Sequence, residues 1–321
     1  MRLDNNMNKK LAIVLPAYNE ELVIDKTTNV LLEIMDQMIA DQLISSDSFI
    51  TYVDDGSRDK TWNLIKDLHI KYKRVRGIHF SRNFGHQNAL IAGMTEYTGT
   101  DVDYVVTLDA DLQDDPKAII KMVKLANEGK NVVYGVRNDR TTDTWFKRFS
   151  AQTFYKFMNM LGVQTIPNHS DFRLVDQKVL NAFSEYDERD MFLRGIFPSI
   201  GFGTAKVYYA RKAREAGESK YPLKKMITFA LDGITSFSVR PIILVRNLGL
   251  TMVTISGLFL LYTLWSYFYG YVEDGWPMLM VSIWAIGGLQ LLAIGVVGEY
   301  IGKIFIEVKH RPRYIIEQYL K

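Results

Sequence analysis

The sequence lacks cysteine altogether, and its charged side chains almost cancel. Without cysteine, no disulfide framework can form. The 39 Lys and Arg residues exceed the 36 Asp and Glu residues by only three. This balance disfavours a general nucleic-acid binder, although it is compatible with a local basic patch for phosphates. Only 8 prolines and 22 glycines occur in 321 residues, which excludes a collagen-like or disordered chain. The length allows about two domains.

Charged residues are nearly absent from one long stretch. Between residues 248 and 298 the only charged side chains are Glu273 and Asp274. Two apolar runs within this stretch, at about 248–270 and 277–300, are long enough as helices to cross a hydrocarbon core of ~30 Å. Their very short connector predicts an antiparallel transmembrane hairpin. The alternative is an apolar hairpin buried inside a large soluble fold.

Basic residues flank this hairpin and are missing from its connector. Arg240 and Arg246 precede the first run, and four basic residues lie between 303 and 313. Because cytoplasmic flanks are enriched in Lys and Arg, both termini are expected in the cytoplasm. The first ten residues, MRLDNNMNKK, precede only a short apolar run, so no signal peptide is predicted.

Short apolar runs alternate with helix-like segments through the first half of the chain. The runs LAIVLP, FITYVD, VRGIHF, DYVVTLD and NVVYGV begin at Leu11, Phe49, Val75, Asp103 and Asn131. This alternation predicts an α/β fold with a parallel sheet covered by helices on both faces. In such sheets, ligands bind at the carboxyl ends of the strands. The residues that follow each run are therefore the candidates for chemistry.

Acidic residues gather at three of these strand ends. The first run is followed by PAYNE, the second by DDGS and the fourth by DADLQ. Each cluster alone could be a helix cap or a turn. Together they would bring several carboxylates to one crevice, where a cation offsets their repulsion. A hard divalent ion that bridges a nucleotide diphosphate would satisfy them.

A family resemblance rests on six motifs: PAYNE, VDDGSRDKT, SRNFGHQNAL, DADLQDDP, DFRL and RKAREAGESKY. Together they resemble the inverting family 2 glycosyltransferases with the GT-A (Rossmann-like) fold. Within these, the chain looks like the dolichyl-phosphate mannose synthases and the bacterial polyprenyl-phosphate glucosyltransferases with a two-span membrane anchor. The match extends from Leu11 to about Arg313.

The resemblance and the hydropathy pattern together imply four regions. Residues 1–220 would form a cytoplasmic GT-A catalytic domain, and residues 221–247 would form amphipathic helices at the membrane interface, with Pro241 bending the chain into the first span. Residues 248–300 would contain the two transmembrane helices. Residues 301–321 would form a cytoplasmic amphipathic tail.

The resemblance also implies a donor site. Residues matching the family's nucleotide-sugar pocket are Pro16, Tyr18, Glu20, Val53, Asp55, Asp109, Ala110 and Gln113. An aromatic ring can stack on a base, and a carboxylate can accept a hydrogen bond from its N–H groups. Asp109, Asp111 and Gln113 match the family's metal motif, and their oxygens are hard ligands for Mg²⁺ or Mn²⁺.

On the acceptor side, the resemblance implies a basic cluster for a lipid phosphate. Its candidates are Arg137, Arg148, Arg211, Arg214 and Lys220. An anionic headgroup needs such a cluster to approach a second anionic substrate. The alternative is general attraction of these residues to anionic lipids, worth about 1 kcal/mol each.

Three residues are the candidates for catalysis: Asp171, Asp111 and Arg137. Asp171, in HSDFRL, matches a position assigned to a base or to an acceptor-orienting carboxylate. Because the second pKa of a phosphate monoester is about 6, the acceptor requires little proton removal at neutral pH. Asp171 could instead pair with Arg173. His86 is expected to make only a local structural contact.

These expectations describe a metal-dependent inverting hexosyltransferase in a bacterial inner membrane. Its donor would be a nucleotide sugar, UDP-glucose by resemblance, with UDP-N-acetylglucosamine or a mannose donor as alternatives. Its acceptor would be polyprenyl (undecaprenyl) phosphate at the cytoplasmic face, and the product a lipid-linked sugar. The resemblance implies a tetramer, and no nucleic-acid partner is expected. The rival functions are a membrane-anchored transferase of polysaccharide synthesis and a non-catalytic adaptor.

Overall fold

A computed structural model describes residues 9–138, 169–189, 191–210, 240–269 and 276–321. The described residues separate into two compact units. Residues up to 210, together with 311–321, form the first unit, and residues 240–310 belong to the second. The candidate residues that the structure describes all lie in the first unit.

The first unit is built on one eight-stranded sheet, in which the order is β7-β5-β6-β4-β1-β2-β3-β8. The strands are β1 Leu11–Ala17, β2 Phe49–Asp54, β3 Val75–Phe80, β4 Tyr104–Thr107, β5 Val132–Arg137, β6 His169–Asp176, β7 Thr204–Tyr209 and β8 Ile316–Leu320. The five predicted strands are confirmed as β1 to β5. Strand β1 is buried along its whole length, which explains why its sequence is continuously apolar rather than alternating.

The sheet is mixed, so the prediction of a parallel sheet was wrong. Strands β4, β1, β2 and β3 are parallel neighbours, but β6 runs antiparallel between β4 and β5, and β8 runs antiparallel beside β3. Neither β6 nor β8 was recognised in the sequence. Strand β6 carries His169, Asp171 and Arg173 among its apolar residues, and this polar content conceals a strand that is largely buried.

Helices follow the strands, as the alternation predicted. They are α1 Ile24–Ala40, α2 Thr61–Lys71, α3 His86–Thr95, α4 Ala118–Asn127, α5 Gln177–Ser184 and α6 Leu193–Ser199. Gly93 lets α3 approach the sheet closely, because a Cβ at this position would lie 2.3 Å from Cγ1 of Val14. Helix α3 begins at His86, and its contact with the sheet places that residue beside the strand ends.

The second unit contains two long helices, α7 Arg240–Phe268 and α8 Trp276–Val308. Pro241 lies in the first turn of α7, where a missing N–H costs no helical hydrogen bond. Within 240–269 and 276–308, no helix combines the length and the hydropathy that a bilayer crossing requires. The hairpin at 248–270 and 277–300 therefore stays a prediction, and most of the interfacial segment 221–247 lies outside the described residues.

Residues 311–321 return to the first unit, where the sequence predicted only an amphipathic tail. Tyr314 stacks on Phe80 with ring centroids 5.1 Å apart, and β8 pairs with β3 from Ile316 onward. Trp62 donates a hydrogen bond from Nε1 to Oε1 of Gln318 at 3.2 Å. The tail thus contributes a strand, whose backbone pairs with the outer edge of β3.

Removing this strand should destabilise the first unit. In a variant that ends at Arg313, Phe80 and Trp62, both buried in the wild-type protein, would lose contacts. A loss of roughly 3 kcal/mol in the free energy of unfolding is expected, comparable to truncating one large aromatic core residue. Urea unfolding followed by tryptophan fluorescence measures it. Glu317→Gln, which alters an exposed side chain of β8, is the control, and an unchanged urea midpoint in the truncated variant would contradict this account.

Candidate active site

The loops after β1 and β2 are held together by hydrogen bonds between side chains and backbone. The Asn19 backbone N–H donates to Oγ of Ser57 at 2.9 Å, and the Arg58 N–H donates to Oδ1 of Asn19 at 2.9 Å. The Glu20 N–H donates to Oγ1 of Thr61 at 2.8 Å. Asn19 adopts a φ of 55°, a conformation that asparagine tolerates better than most residues. The PAYNE and DDGS motifs therefore form one rigid rim.

The structure brings the predicted nucleotide residues to this rim. Pro16 pairs with Val53 across β1 and β2, Tyr18 is partly exposed at 38%, and Glu20 begins the turn into α1. The partly exposed ring of Tyr18 leaves a surface on which a base could stack. Val53 is fully buried in the sheet, and the nucleotide pocket stays a prediction.

Asp55 has a structural role at the same rim, where its carboxylate binds backbone amides of the loop before α3. Its Oδ1 accepts a hydrogen bond from the Phe84 N–H at 2.6 Å, and its Oδ2 accepts one from the Gly85 N–H at 2.9 Å. Burial raises the pKa of Asp55 above its ordinary value, while these two amides oppose the rise. Both carboxylate oxygens thus anchor the loop that leads into α3, which the sequence analysis did not anticipate.

The neighbouring Asp54 connects the rim to β8. Its fully buried carboxylate accepts hydrogen bonds from the Ser57 hydroxyl and lies 2.6 Å from Nδ1 of His79. The His79 ring stacks on Trp62, and its Nε2 lies 3.6 Å from Glu317. A chain of contacts therefore runs from β8 to the loop that the sequence assigns to the nucleotide.

The DADLQ motif follows β4 at the same edge of the sheet. Thr27 donates from Oγ1 to the Ala110 carbonyl at 2.7 Å, and the Gln113 N–H donates to Oδ1 of Asp111 at 3.1 Å. Leu112 has a φ of 54°, so the loop makes a tight left-handed turn at that residue. This turn keeps Asp109, Asp111 and Gln113 close together.

Burial raises the pKa of Asp109 above its ordinary value. His86 opposes the rise, while the carboxylates of Asp171, Asp114 and Asp111 add to it. Several acidic groups are therefore close enough to repel one another, as the strand-end pattern predicted. Among the described residues, no group of three or more His, Asp or Glu side chains is arranged to hold a metal ion.

Asp171 lies between two arginines. Its Oδ1 is 2.8 Å from Nη2 of Arg173, and its Oδ2 is 3.0 Å from Nη2 of Arg194. Burial alone would raise the pKa of Asp171, but the Arg194 and Arg173 guanidiniums outweigh it and hold that pKa well below its usual range. A carboxylate held so firmly ionised is a weak base, so this geometry favours the positioning role over proton abstraction.

Two neighbours of Asp171 were misjudged or missed in the sequence. The expectation of a merely local contact for His86 was wrong, because its Nε2 lies 3.5 Å from Oδ1 of Asp109 and 3.8 Å from Oδ2 of Asp171. Arg194, on α6, was not identified at all. It occurs in an apolar segment, FLRGIF, and no local motif distinguishes it.

Of the five predicted phosphate-binding residues, Arg137 lies within the described part of the chain. Its guanidinium is held by Asp114, with Nε to Oδ1 at 3.0 Å and Nη2 to Oδ2 at 3.3 Å. Arg137 ends β5, so it occupies the same edge of the sheet as the DADLQ loop. The other four, Arg148, Arg211, Arg214 and Lys220, lie outside the described residues.

The chain is similar to known proteins along nearly its whole length. The family model of Glycosyl transferase family 2 matches residues 12–184. An uncharacterized glycosyltransferase of Bacillus subtilis, YkoT, is 48% identical over 307 residues, which are 96% of this chain and 91% of that protein. The bactoprenol glucosyl transferase of Shigella phage SfV is 38% identical over 313 residues, which are 96% of this chain and 98% of that protein.

Among solved structures, the mannosyltransferase PcManGT of Pyrobaculum calidifontis, in complex with GDP-Man and Mn²⁺, has a TM-score of 0.45. It is 15% identical, and the match covers 83% of this chain and 86% of that chain. A similarity at this level supports no statement about ligands.

Proposed function

The chain belongs to glycosyl transferase family 2 and is therefore a glycosyltransferase; we propose that it transfers one hexose from a nucleotide sugar to a polyprenyl phosphate. Glucose from UDP-glucose is the proposed donor sugar, and undecaprenyl phosphate the proposed acceptor. The observation that carries this proposal is the near full-length match, at 38% identity, to the phage bactoprenol glucosyl transferase. The product would be a lipid-linked sugar.

The carboxyl edge of the sheet supports the donor half of this proposal. The rim formed by the loops after β1 and β2 would receive the nucleotide, with Tyr18 under the base and Glu20 and Asp55 at its polar edge. Since the hydrogen bonds of Asn19, Ser57 and Asp55 already fix this rim, little ordering entropy would be lost on binding. Asp109, Ala110 and Gln113 would lie beside the sugar diphosphate.

The oxygen donors of the DADLQ loop are of the type that binds a divalent cation, which we propose as the cofactor. Asp109, Asp111 and Gln113 offer two carboxylates and an amide oxygen, the hard donors that Mg²⁺ and Mn²⁺ prefer. Burial and the neighbouring carboxylates raise the pKa of Asp109, and a cation would offset both effects. When bound, the ion would supply Lewis-acid stabilisation of the departing nucleoside diphosphate.

In the proposed reaction an acceptor phosphate oxygen attacks the anomeric carbon from the face opposite the diphosphate. The bond from that carbon to the diphosphate oxygen breaks, its electron pair leaves with the nucleotide, and the anomeric configuration inverts. Much of a monoester phosphate is already a dianion at neutral pH. Asp171 therefore need not accept a proton; it would orient Arg194 and His86 around the reacting groups.

We further propose that the two apolar runs at 248–270 and 277–300 tether the chain to a bacterial inner membrane, with both termini in the cytoplasm. Their hydropathy and basic flanks support this placement. A membrane anchor raises the effective concentration of a lipid acceptor around the enzyme. An enzyme with a soluble acceptor would not require such an anchor. Arg148, Arg211, Arg214 and Lys220 would supply further charge for its phosphate, and a tetramer stays a prediction.

The test is a transfer assay with purified full-length protein in detergent. Radiolabelled UDP-glucose, UDP-N-acetylglucosamine and GDP-mannose are each incubated with undecaprenyl phosphate and Mn²⁺, and the lipid is extracted. Label should enter the organic phase with UDP-glucose, and EDTA should abolish it until Mn²⁺ or Mg²⁺ is restored. Label with another donor alone would change the proposed sugar. Absence of lipid label with every donor would refute polyprenyl phosphate as the acceptor. Transfer that persists in EDTA would refute the proposed dependence on a divalent cation.

A further inference from the structure

Arg137 does not project freely from the end of β5. A single carboxylate, that of Asp114, receives hydrogen bonds from its Nε at 3.0 Å and from its Nη2 at 3.3 Å. Two parallel hydrogen bonds fix the plane of a guanidinium as well as its position. Asp114 comes directly after the DADLQ motif. The loop of the proposed metal site therefore also determines where the Arg137 guanidinium points.

Asp114 is itself immobilised. Its side chain is 1% exposed, and its Oδ2 also accepts a hydrogen bond from the Ser170 hydroxyl at 3.2 Å. The Ser170 hydroxyl lies 3.0 Å from the Tyr209 hydroxyl. Buried polar groups with partners on several elements are rigid, because any movement would leave one of them unsatisfied. Strands β5, β6 and β7 thus all contribute to holding the Arg137 fork.

Arg137 nevertheless keeps a surface that a ligand can reach, since 27% of its side chain is exposed. A planar guanidinium carries five N–H groups, and the Asp114 fork occupies the Nε edge. Tyr209 also hydrogen-bonds to the Arg137 side chain, so the exposed remainder of the guanidinium, away from the fork, is the part that can serve a second anion. Proximity matters as well: Asp114 directly follows Gln113 in the chain, so the fork is near the proposed diphosphate.

We propose that Asp114 is a positioning residue, which aims the outer edge of Arg137 at the phosphate of the lipid acceptor. This inference rests on the proposed function. Asp114 acts only through Arg137, and Ser170 and Tyr209 in turn hold Asp114. The Asp114 carboxylate lowers the net positive charge at this point of the site. It also fixes the Arg137 side chain in advance, so less conformational entropy is lost when the acceptor binds.

The test is a double-mutant cycle on full-length protein, with separate measurement of KM for UDP-glucose and for undecaprenyl phosphate. Asp114→Asn should raise the acceptor KM about tenfold, as expected for the loss of one charge-assisted hydrogen bond. The donor KM should stay within about twofold. In an Arg137→Ala background, Asp114→Asn should have no further effect on the acceptor KM.

Two controls separate positioning from folding. Asp115→Asn makes the same chemical change at the adjacent position, where the carboxylate accepts from the Lys117 N–H, and it should leave both KM values unchanged. Ser170→Ala loosens Asp114 without changing any charge, and it should raise the acceptor KM by about threefold. If Asp114→Asn does not fold, Ser170→Ala and its cycle with Arg137→Ala carry the test alone.

Several results would overturn the proposal. A lower acceptor KM in Asp114→Asn would mean that the carboxylate only neutralises Arg137. Equal increases in both KM values, or additive effects of Asp114→Asn and Arg137→Ala, would mean that Asp114 supports the fold and does not act through Arg137. Failure of the proposed function is distinguishable, because the wild-type protein would then give no transfer to undecaprenyl phosphate with any donor.

Discussion

Replacing Asp111 with asparagine is expected to reduce lipid-linked transfer by roughly 10²–10³-fold, the effect of removing one electrostatic stabiliser of a transition state. An amide keeps the shape of the side chain but supplies a much weaker ligand for a hard cation. The fold should survive the change, because Asp111 is one of the carboxylates that repel Asp109, and its neutralisation reduces that repulsion.

The measurement is the initial rate of label transfer from UDP-glucose at saturating lipid, with increasing Mn²⁺. The rate in Asp111→Asn should recover in part at high Mn²⁺ if the ligand is only weakened. Asp101→Asn is the matched control, because Asp101 is an exposed carboxylate paired with Lys10 and lies before β4 rather than after it. A wild-type rate in Asp111→Asn would remove the DADLQ loop from the catalytic site.

Replacing Asp171 with asparagine should cost stability as well as activity. Arg173 is 1% exposed, and Asp171 is the carboxylate that faces its guanidinium, 2.8 Å away. Removing one partner of a buried ion pair leaves an uncompensated charge, at a cost of about 3–5 kcal/mol. Transfer should also fall sharply, because Arg194 and His86 lose the group that both of them face.

A second variant separates these two effects. Asp171→Asn combined with Arg173→Met removes both charges of the buried pair, so much of the lost stability should return. Activity should not return, because Arg194 and His86 still lack their carboxylate. Urea midpoints and initial transfer rates are compared across the single and double variants. An active double variant would show that Asp171 serves the fold alone, and an unchanged urea midpoint in the single variant would contradict the buried-pair account.

The sequence predicted strands β1 to β5 but not β6, β7 or β8. Strands β1 to β5 were recognised because buried parallel strands form continuous apolar runs, and the acidic clusters at their ends marked the site. Strand β6 contains Asp171 and Arg173, and these two charges interrupt the apolar run by which a buried strand is recognised. Strand β8 pairs with β3 across more than 230 positions of sequence, a separation that no local pattern encodes.

Within the site, sequence motifs indicated which residues gather but not what each of them contacts. The assignment of Asp55 to a base stays a prediction, and its two hydrogen bonds from the amides of Phe84 and Gly85 were not indicated by the motif. His86 was considered structural, yet it faces two carboxylates. Arg194 and the Asp114 fork were missed. These assignments depend on distances between side chains from different elements, and such distances arise only after the elements pack.

Strand β8 follows both long helices in the chain, although it completes a sheet whose other strands all precede them. During synthesis on the ribosome, β3 therefore has an unpaired outer edge until residues 240–308 have been made. An unpaired edge of this kind is a template for wrong pairing between nascent chains. Slow synthesis or stalling within the long helices would prolong that exposure, so the yield of native protein should depend on how quickly that segment is translated.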